Sequence, residues 1–271
     1  MTLNAATTDA AERLRKAEER AVARWNARKR WYHPIIARTV ITGSRFVTRV
    51  MNRLDIEGRE HLESVRERGG RGLLTVSNHV SLYDDPLLTS NFVRMSYDGI
   101  RWVGADALNF FGSGKKAWFF NSGRVVPIVR GGRGGGINQP GMQFLRDRLA
   151  EGEWVHMFPE GGRTRDPEGR MMPEFKNGMG WLIAQTKPLV VPFYHHGMMG
   201  ILPVGGGIPR PFNRVRVVFH EPIDCDGEWI EETCEKHAGD RTDGPKLWDA
   251  ITAELYATLS AMERRIHPSF A

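Results

Sequence analysis

The chain has 271 residues, 38 lysines and arginines against 32 aspartates and glutamates, a formal net charge of +6 and a sequence pI near 9.5. That length suits one large α/β domain or two small ones, and no Pro- or Ser-rich linker divides the middle, so one main domain is expected. The positive balance calls for an anionic partner, and the absence of zinc-finger spacing and RNP-like aromatics excludes nucleic acid, which leaves an acidic membrane surface.

Residues 1–29 are rich in Ala, Glu and Arg and helical in pattern, without the apolar core of a signal peptide. Asp9, Glu12, Glu18 and Glu19 also argue against a transit peptide. No run approaches the ~20 apolar residues of a membrane-spanning helix. Over 35–52, Arg38, Arg45 and Arg49 share a narrow arc of a helical wheel, with Ile36, Val40, Val47, Val50 and Met51 opposite. This pattern is either an in-plane interfacial helix, making the protein a peripheral membrane protein, or a surface helix packed on its own domain. Residues 1–52 therefore read as an amphipathic helical extension and 53–271 as the main domain.

Strand-like runs follow at 72–77, 100–104, 124–129, 154–158, 189–194 and 215–220. They alternate with helix-like segments at 86–94, 139–151, 178–187 and 246–266. This alternation predicts an α/β fold with a mixed, mostly parallel sheet covered by helices. Between them, the aromatics and lysines of 110–120 suit either a membrane interface or a core. The glycine run 131–136 is either a loop that cradles an anion or a mobile one, and Gly114-Lys115-Lys116 is no phosphate-binding P-loop. Cys225 and Cys234 form no disulfide framework and fit a reducing compartment.

Chemistry concentrates at two strand ends. The run 72–77 leads into Asn78-His79-Val80-Ser81-Leu82-Tyr83-Asp84-Asp85-Pro86, in which Asp85 with the following proline signals a helix start. On a continuous helix His79 and Asp84 would point about 140° apart, whereas a tight turn folds Asp84 back onto the ring. An imidazole can take the proton of an attacking hydroxyl, and a carboxylate on its other nitrogen fixes the tautomer. No Gly-x-Ser-x-Gly elbow is present and both cysteines lie in a polar, acidic stretch. The simplest reading is that the substrate's own hydroxyl attacks, making a transferase rather than a hydrolase. The second strand, 154–158, ends at Pro159-Glu160-Gly161-Gly162-Arg163-Thr164-Arg165, where Arg163 and Arg165 either pair with a phosphate or, as the motif alone favours, belong to a solvated basic loop. His195-His196 is not a metal site, because neighbours on a strand point to opposite faces; neither a metal nor a cofactor is expected.

Asn-His-x-x-x-x-Asp with a downstream Phe-Pro-Glu-Gly resembles the glycerolipid acyltransferases, which acylate glycerol phosphate and lysophospholipids. Within that family the chain is most similar to the tafazzin branch of phospholipid–lysophospholipid transacylases. The likeness spans roughly 52–222 and includes Val126-Pro127-Ile128-Val129-Arg130-Gly131 and Pro192-Phe193-Tyr194-His195-His196-Gly197. At Gly162-Arg163-Thr164 it looks more like the lysophosphatidate acyltransferases. The resemblance implies His79 as base, Asp84 as its partner, Arg130 as a phosphate contact, and Glu160 and Gly161 in the acceptor head-group site, with phospholipid and lysophospholipid as substrates. Three functions follow: a transacylase that remodels cardiolipin or other phospholipid, a CoA- or carrier-dependent 1-acylglycerol-3-phosphate acyltransferase, and a non-catalytic lipid-binding protein.

Overall fold

The computed structural model describes residues 2–131, 134–203, 205–240 and 242–270. An eight-stranded sheet runs in the order β1-β7-β6-β2-β5-β3-β4, with β8 paired to β6. The strands are β1 (Arg53–Glu57), β2 (Leu73–Ser77), β3 (Trp102–Asp106), β4 (Val125–Ile128), β5 (Trp154–Met157), β6 (Leu189–His196), β7 (Arg214–Phe219) and β8 (Ile223–Asp224). Pairing is parallel except that β6 is antiparallel to β7 and β8. The mixed, mostly parallel sheet predicted from the alternation is therefore present. β1 escapes sequence reading because its charged side chains break the apolar alternation. They pair across to β7 instead, Arg214 Nε with Asp55 at 2.7 Å and Arg216 Nη2 with Glu57 at 3.0 Å.

Both faces of the sheet are covered, so adjacent strand residues such as Leu73 and Leu74, or Val190 and Val191, are buried alike on opposite sides. One face carries α6 (Pro140–Ala150), α7 (Gly178–Thr186), α9 (Gly227–Ala238) and α10 (Gly244–Ile266). Helices α7 and α10 pack closely at Gly180, where a Cβ would lie 2.1 Å from the Trp248 carbonyl oxygen. The other face carries α2 (His33–Phe46), α3 (Arg59–Arg68) and α8 (Met198–Ile201). At the β3–β4 edge, α1 (Thr2–Ala23) packs with α4 (Ala107–Phe111) and α5 (Gly114–Asn121).

Residues preceding 53 lie against the body: Trp25 meets Phe144 edge-on at 4.9 Å, and Tyr32 stacks on Trp118 at 5.5 Å. Helix α2 corrects the expected basic arc. Arg45 donates to the Ser90 and Val93 carbonyls at 2.9 and 2.6 Å and is tied to the domain, whereas Arg49 gives only Nε to Asn91 Oδ1 at 2.7 Å and its side chain stays exposed. Ile36 and Val40 face an internal cleft.

The helix expected over 86–94 is a single wide turn, Asp85–Thr89. Its polar residues compete for the carbonyls a helix would use: Thr89 Oγ1 donates to Asp85 O, and Asn91 Nδ2 to Leu87 O. Asp85, expected to cap that helix, instead receives Arg101 Nε at 2.6 Å. Of the expected glycine run, Gly132 and Arg133 lie outside the described residues. No helix among the described residues is long and apolar enough to cross a membrane.

Candidate active site

The carboxyl ends of β2 and β5 are neighbours because those strands pair in parallel, which places the two sequence motifs side by side. Asp84 folds back as the tight-turn reading predicts. Its Oδ2 accepts from His79 Nδ1 at 3.0 Å, Val80 N at 2.7 Å and Ser81 N at 2.8 Å. A carboxylate acceptor at Nδ1 makes that nitrogen the protonated one, leaving Nε2 with a free lone pair. The ring stacks on Phe158 at 4.0 Å. Phe158 in turn meets His156 edge-on at 4.5 Å. Burial holds His156 well below its ordinary pKa, so it stays neutral beneath the site.

A second brace comes from β6. Asn78 Nδ2 donates to the His195 carbonyl at 2.9 Å, and His195 N donates to Asn78 Oδ1 at 3.0 Å. His195 Nε2 lies 2.9 Å from the Asn78 carbonyl and 3.7 Å from Asp84 Oδ2. Burial lowers the His195 pKa, so the ring is neutral and supports the turn without adding charge. His196 points the other way and meets His267 at 4.7 Å, as strand alternation requires.

Glu160 differs from the place the resemblance implies. It is 1% exposed, with Oε1 accepting from His79 N at 2.6 Å and Oε2 from Met172 N at 2.7 Å. Both oxygens are spent on backbone donors, so this carboxylate straps the second loop to the 78–84 turn from below. Burial pushes its carboxyl up to about 7, against the lowering effect of those two bonds. Gly161 does reach the cleft. It sits at φ +67°, where a Cβ would meet the Lys176 side chain at 3.0 Å.

His79 opens into a cleft of about 1220 Å³. Of its lining, Val103, Phe110, Phe120 and Val125 belong to one apolar cluster, while Arg130, Arg163, Arg165 and Lys176 gather around residues 161–163. Arg130 is anchored by Asp106 at 3.6 Å and passes close to Gly162, where a Cβ would lie 3.6 Å from Nη1. Arg163 is held below its ordinary pKa, first by burial and then by Arg165 and Arg130. The structure thus brings His79, Arg130, Gly161 and Arg163 around one cavity, with Asp84 and Glu160 buried behind His79. Sequence reasoning missed Lys176, Asp106 and the Asn78–His195 clamp. The 110–120 block divides: Phe111 is core, Phe110 and Phe120 pack together at 4.7 Å beside the cleft, and Trp118 and Phe119 are exposed.

An imidazole with one nitrogen fixed and the other open, beside apolar and cationic side chains, is an arrangement that suits acyl transfer. The Acyltransferase family model matches residues 53–196, and the chain belongs to that family. A Dictyostelium discoideum protein named "Taffazin" is 33% identical over 200 residues, covering 70% of this chain and 68% of its own length. An Arabidopsis thaliana N-acylphosphatidylethanolamine synthase is 31% identical over 231 residues, covering 78% and 79% respectively. The 1-acyl-sn-glycerophosphate (LPA) acyltransferase PlsC from Thermotoga maritima shares the fold, with a TM-score of 0.57 at 19% identity over 84% of this chain and 79% of its own.

Proposed function

We propose that the chain is a phospholipid–lysophospholipid transacylase working on lipids of an anionic membrane, with His79 as general base and Asp84 as its partner. The observation that carries this is the fixed Nδ1–Asp84 bond, which leaves Nε2 open to a cleft with an apolar and a cationic part. A lysophospholipid lies with its phosphate among Arg130, Arg163 and Arg165 and its hydroxyl at His79 Nε2. The donor's acyl carbonyl meets that hydroxyl, His79 takes the proton as the C–O bond forms, and it returns the proton to the departing oxygen. Ester is exchanged for ester, so the reaction runs in both directions. Similarity to the tafazzins supports a phospholipid donor.

A second reading, transfer from an acyl thioester, is favoured by the cationic lobe, since Arg163 and Arg165 also suit a phosphorylated carrier. The two separate on liposomes of phosphatidylcholine with labelled lysophospholipid, with and without acyl-CoA. CoA-independent transfer is expected, and His79→Ala is expected to lower it by on the order of 10³-fold with unchanged folding and liposome binding. Strict thioester dependence would replace the transacylase reading, and turnover retained in His79→Ala would remove His79 from the mechanism.

A further inference from the structure

The two most exposed large apolar side chains among the described residues are Phe212, 96% exposed, and Ile208, 83% exposed. Both belong to the 205–213 loop between α8 and β7, remote in sequence from the motifs and unused by the proposed reaction. Phe212 sits at φ +65°, a left-handed conformation unfavourable for a residue with a β-carbon. The loop is nevertheless fixed. Phe212 N donates to the Met51 carbonyl at 2.8 Å, and Arg210 N to the Ile201 carbonyl at 2.8 Å. Asn213 Nδ2 donates to the Arg210 and Pro211 carbonyls at 3.1 and 3.0 Å, while Asn213 N donates to the buried Asn52 Oδ1 at 2.8 Å. A loop pinned through residues 210–213, in a strained conformation that projects an aromatic ring into water, is built to present that ring.

Its surroundings indicate to what. The bond to Met51 sets the loop beside the carboxyl end of the α2 segment, where Phe46 and Val50 are 53% and 69% exposed. A hollow of about 330 Å³ opens there, lined by Arg49, Asn52, Arg53, Leu54 and Ile56. Arg53 and Arg214 share one carboxylate, Asp55, at 3.2 and 2.7 Å, and keep side chains 73% and 68% exposed. With Arg49 and Arg210 the face holds four guanidinium groups around a protruding apolar tip. A second copy of the chain would bring its own arginines against these, whereas an anionic lipid surface offers acyl chains to the tip and phosphates to the hollow.

We propose that the 205–213 loop and the carboxyl end of α2 form a docking surface for an anionic lipid bilayer, with Ile208 and Phe212 inserted and Arg49 and Arg53 receiving head-group phosphate. The surface is joined to the catalytic turn through Ser81 Oγ, which donates to the Leu202 carbonyl at 2.9 Å, and through α2, which walls the cleft. Docking therefore fixes where the cleft lies relative to the bilayer. The inference rests on the reading of the cleft as a lipid site only for that consequence; binding itself requires no turnover.

Cys225 and Cys234 are 0% and 1% exposed, so a cysteine introduced by Phe212→Cys can be labelled alone with an environment-sensitive fluorophore. Vesicles of phosphatidylcholine and phosphatidylglycerol are expected to raise and blue-shift its emission more than pure phosphatidylcholine vesicles. A label at Glu232→Cys, in α9 on the opposite face of the sheet, should not respond. The double variant Ile208→Ser/Phe212→Ser is expected to bind the anionic vesicles at least tenfold more weakly, with unchanged melting and unchanged transfer to a dispersed short-chain acceptor. A silent label at 212, wild-type vesicle binding by the double variant, or a label response that follows protein concentration without vesicles would overturn the proposal, the last in favour of self-association. Loss of turnover with label insertion intact would count against the catalytic reading alone.

Discussion

The turn 78–84 and the loop 161–176 face the same cleft and hold their charges in opposite ways. In the turn, the Asp84 oxygen that faces His79 has three donors, and Glu160 beneath has one for each oxygen. In the loop, Arg163, Arg165 and Lys176 make no ion pair among the described residues. The turn is therefore finished before a substrate arrives, as a base that must meet a hydroxyl within hydrogen-bond reach requires. The loop is left incomplete, its cations awaiting an anion from outside. In the proposed reaction, position is built into one region and affinity for the lipid phosphate into the other.

The contrast breaks most sharply at Asp84. An asparagine would place its oxygen among the same three donors and its amide where Asp84 Oδ1 now lies buried without a partner. Geometry and tautomer survive, and only the charge that stabilises the imidazolium is lost. Asp84→Asn is expected to fold normally and to lower kcat by roughly 10³-fold. Asp84→Ala removes the acceptor as well, leaving two backbone donors unpaired, and should lose stability by about 2–6 kcal/mol at about 1–3 kcal/mol each. Equal stability of the two variants in denaturant titrations would show that the turn does not depend on this acceptor.

His79 and Asp84 are legible in the sequence because their contact is local, five residues apart and bounded by a strand and a proline. Arg130 and Arg163 are legible only through the resemblance and the glycines around them. The Asn78–His195 clamp is not legible, since it joins residues 117 apart in sequence and its histidine lies in a strand that reads as plain core. Glu160 misleads for another reason: a carboxylate in a polar glycine loop looks solvent-facing, and only the folded chain brings His79 N of the turn after β2 and Met172 N of its own loop onto its two oxygens. Arg45 misleads likewise, because a helical wheel records which residues share a face but not the carbonyls of 90 and 93 that occupy it. Most of the fold survives such errors because strand alternation depends on apolar residues buried on both faces.

Glu160 sharpens the comparison through pH. Its carboxyl, near 4.5 when unfolded, titrates at about 7 when folded, chiefly because it is buried. Between those values the unfolded chain binds fewer protons than the folded one, so the contribution of Glu160 to stability falls as pH rises from 4.5 to 7 and is flat above. The full difference is roughly 3 kcal/mol. Glu160→Gln cannot accept from both His79 N and Met172 N, so at pH 5 it should be less stable than the wild type by about 1–3 kcal/mol. That gap should narrow by pH 7.5, because only the wild type loses stability over the interval. Unfolding curves for the two proteins that stay parallel across this range would mean that Glu160 keeps its charge throughout.

The smallest expected effect lies in the unfinished region. Arg163 is half-buried yet carries no structural bond, so Arg163→Ala should shift stability by less than about 0.5 kcal/mol, as for a surface change away from any packed feature. A charge-assisted hydrogen bond to phosphate is worth about 1.5–3 kcal/mol, which puts the expected rise in KM for a lysophospholipid at roughly tenfold or more, with kcat nearly unchanged. The effect should shrink at high salt and be partly restored by Arg163→Lys, which keeps the charge but not the bidentate fork. A monoacylglycerol acceptor has a hydroxyl for His79 but no phosphate for Arg163, and its KM should not move. If both acceptors suffer equally, Arg163 acts on the shape of the loop and the division between a finished turn and an unfinished cationic lobe fails at this residue.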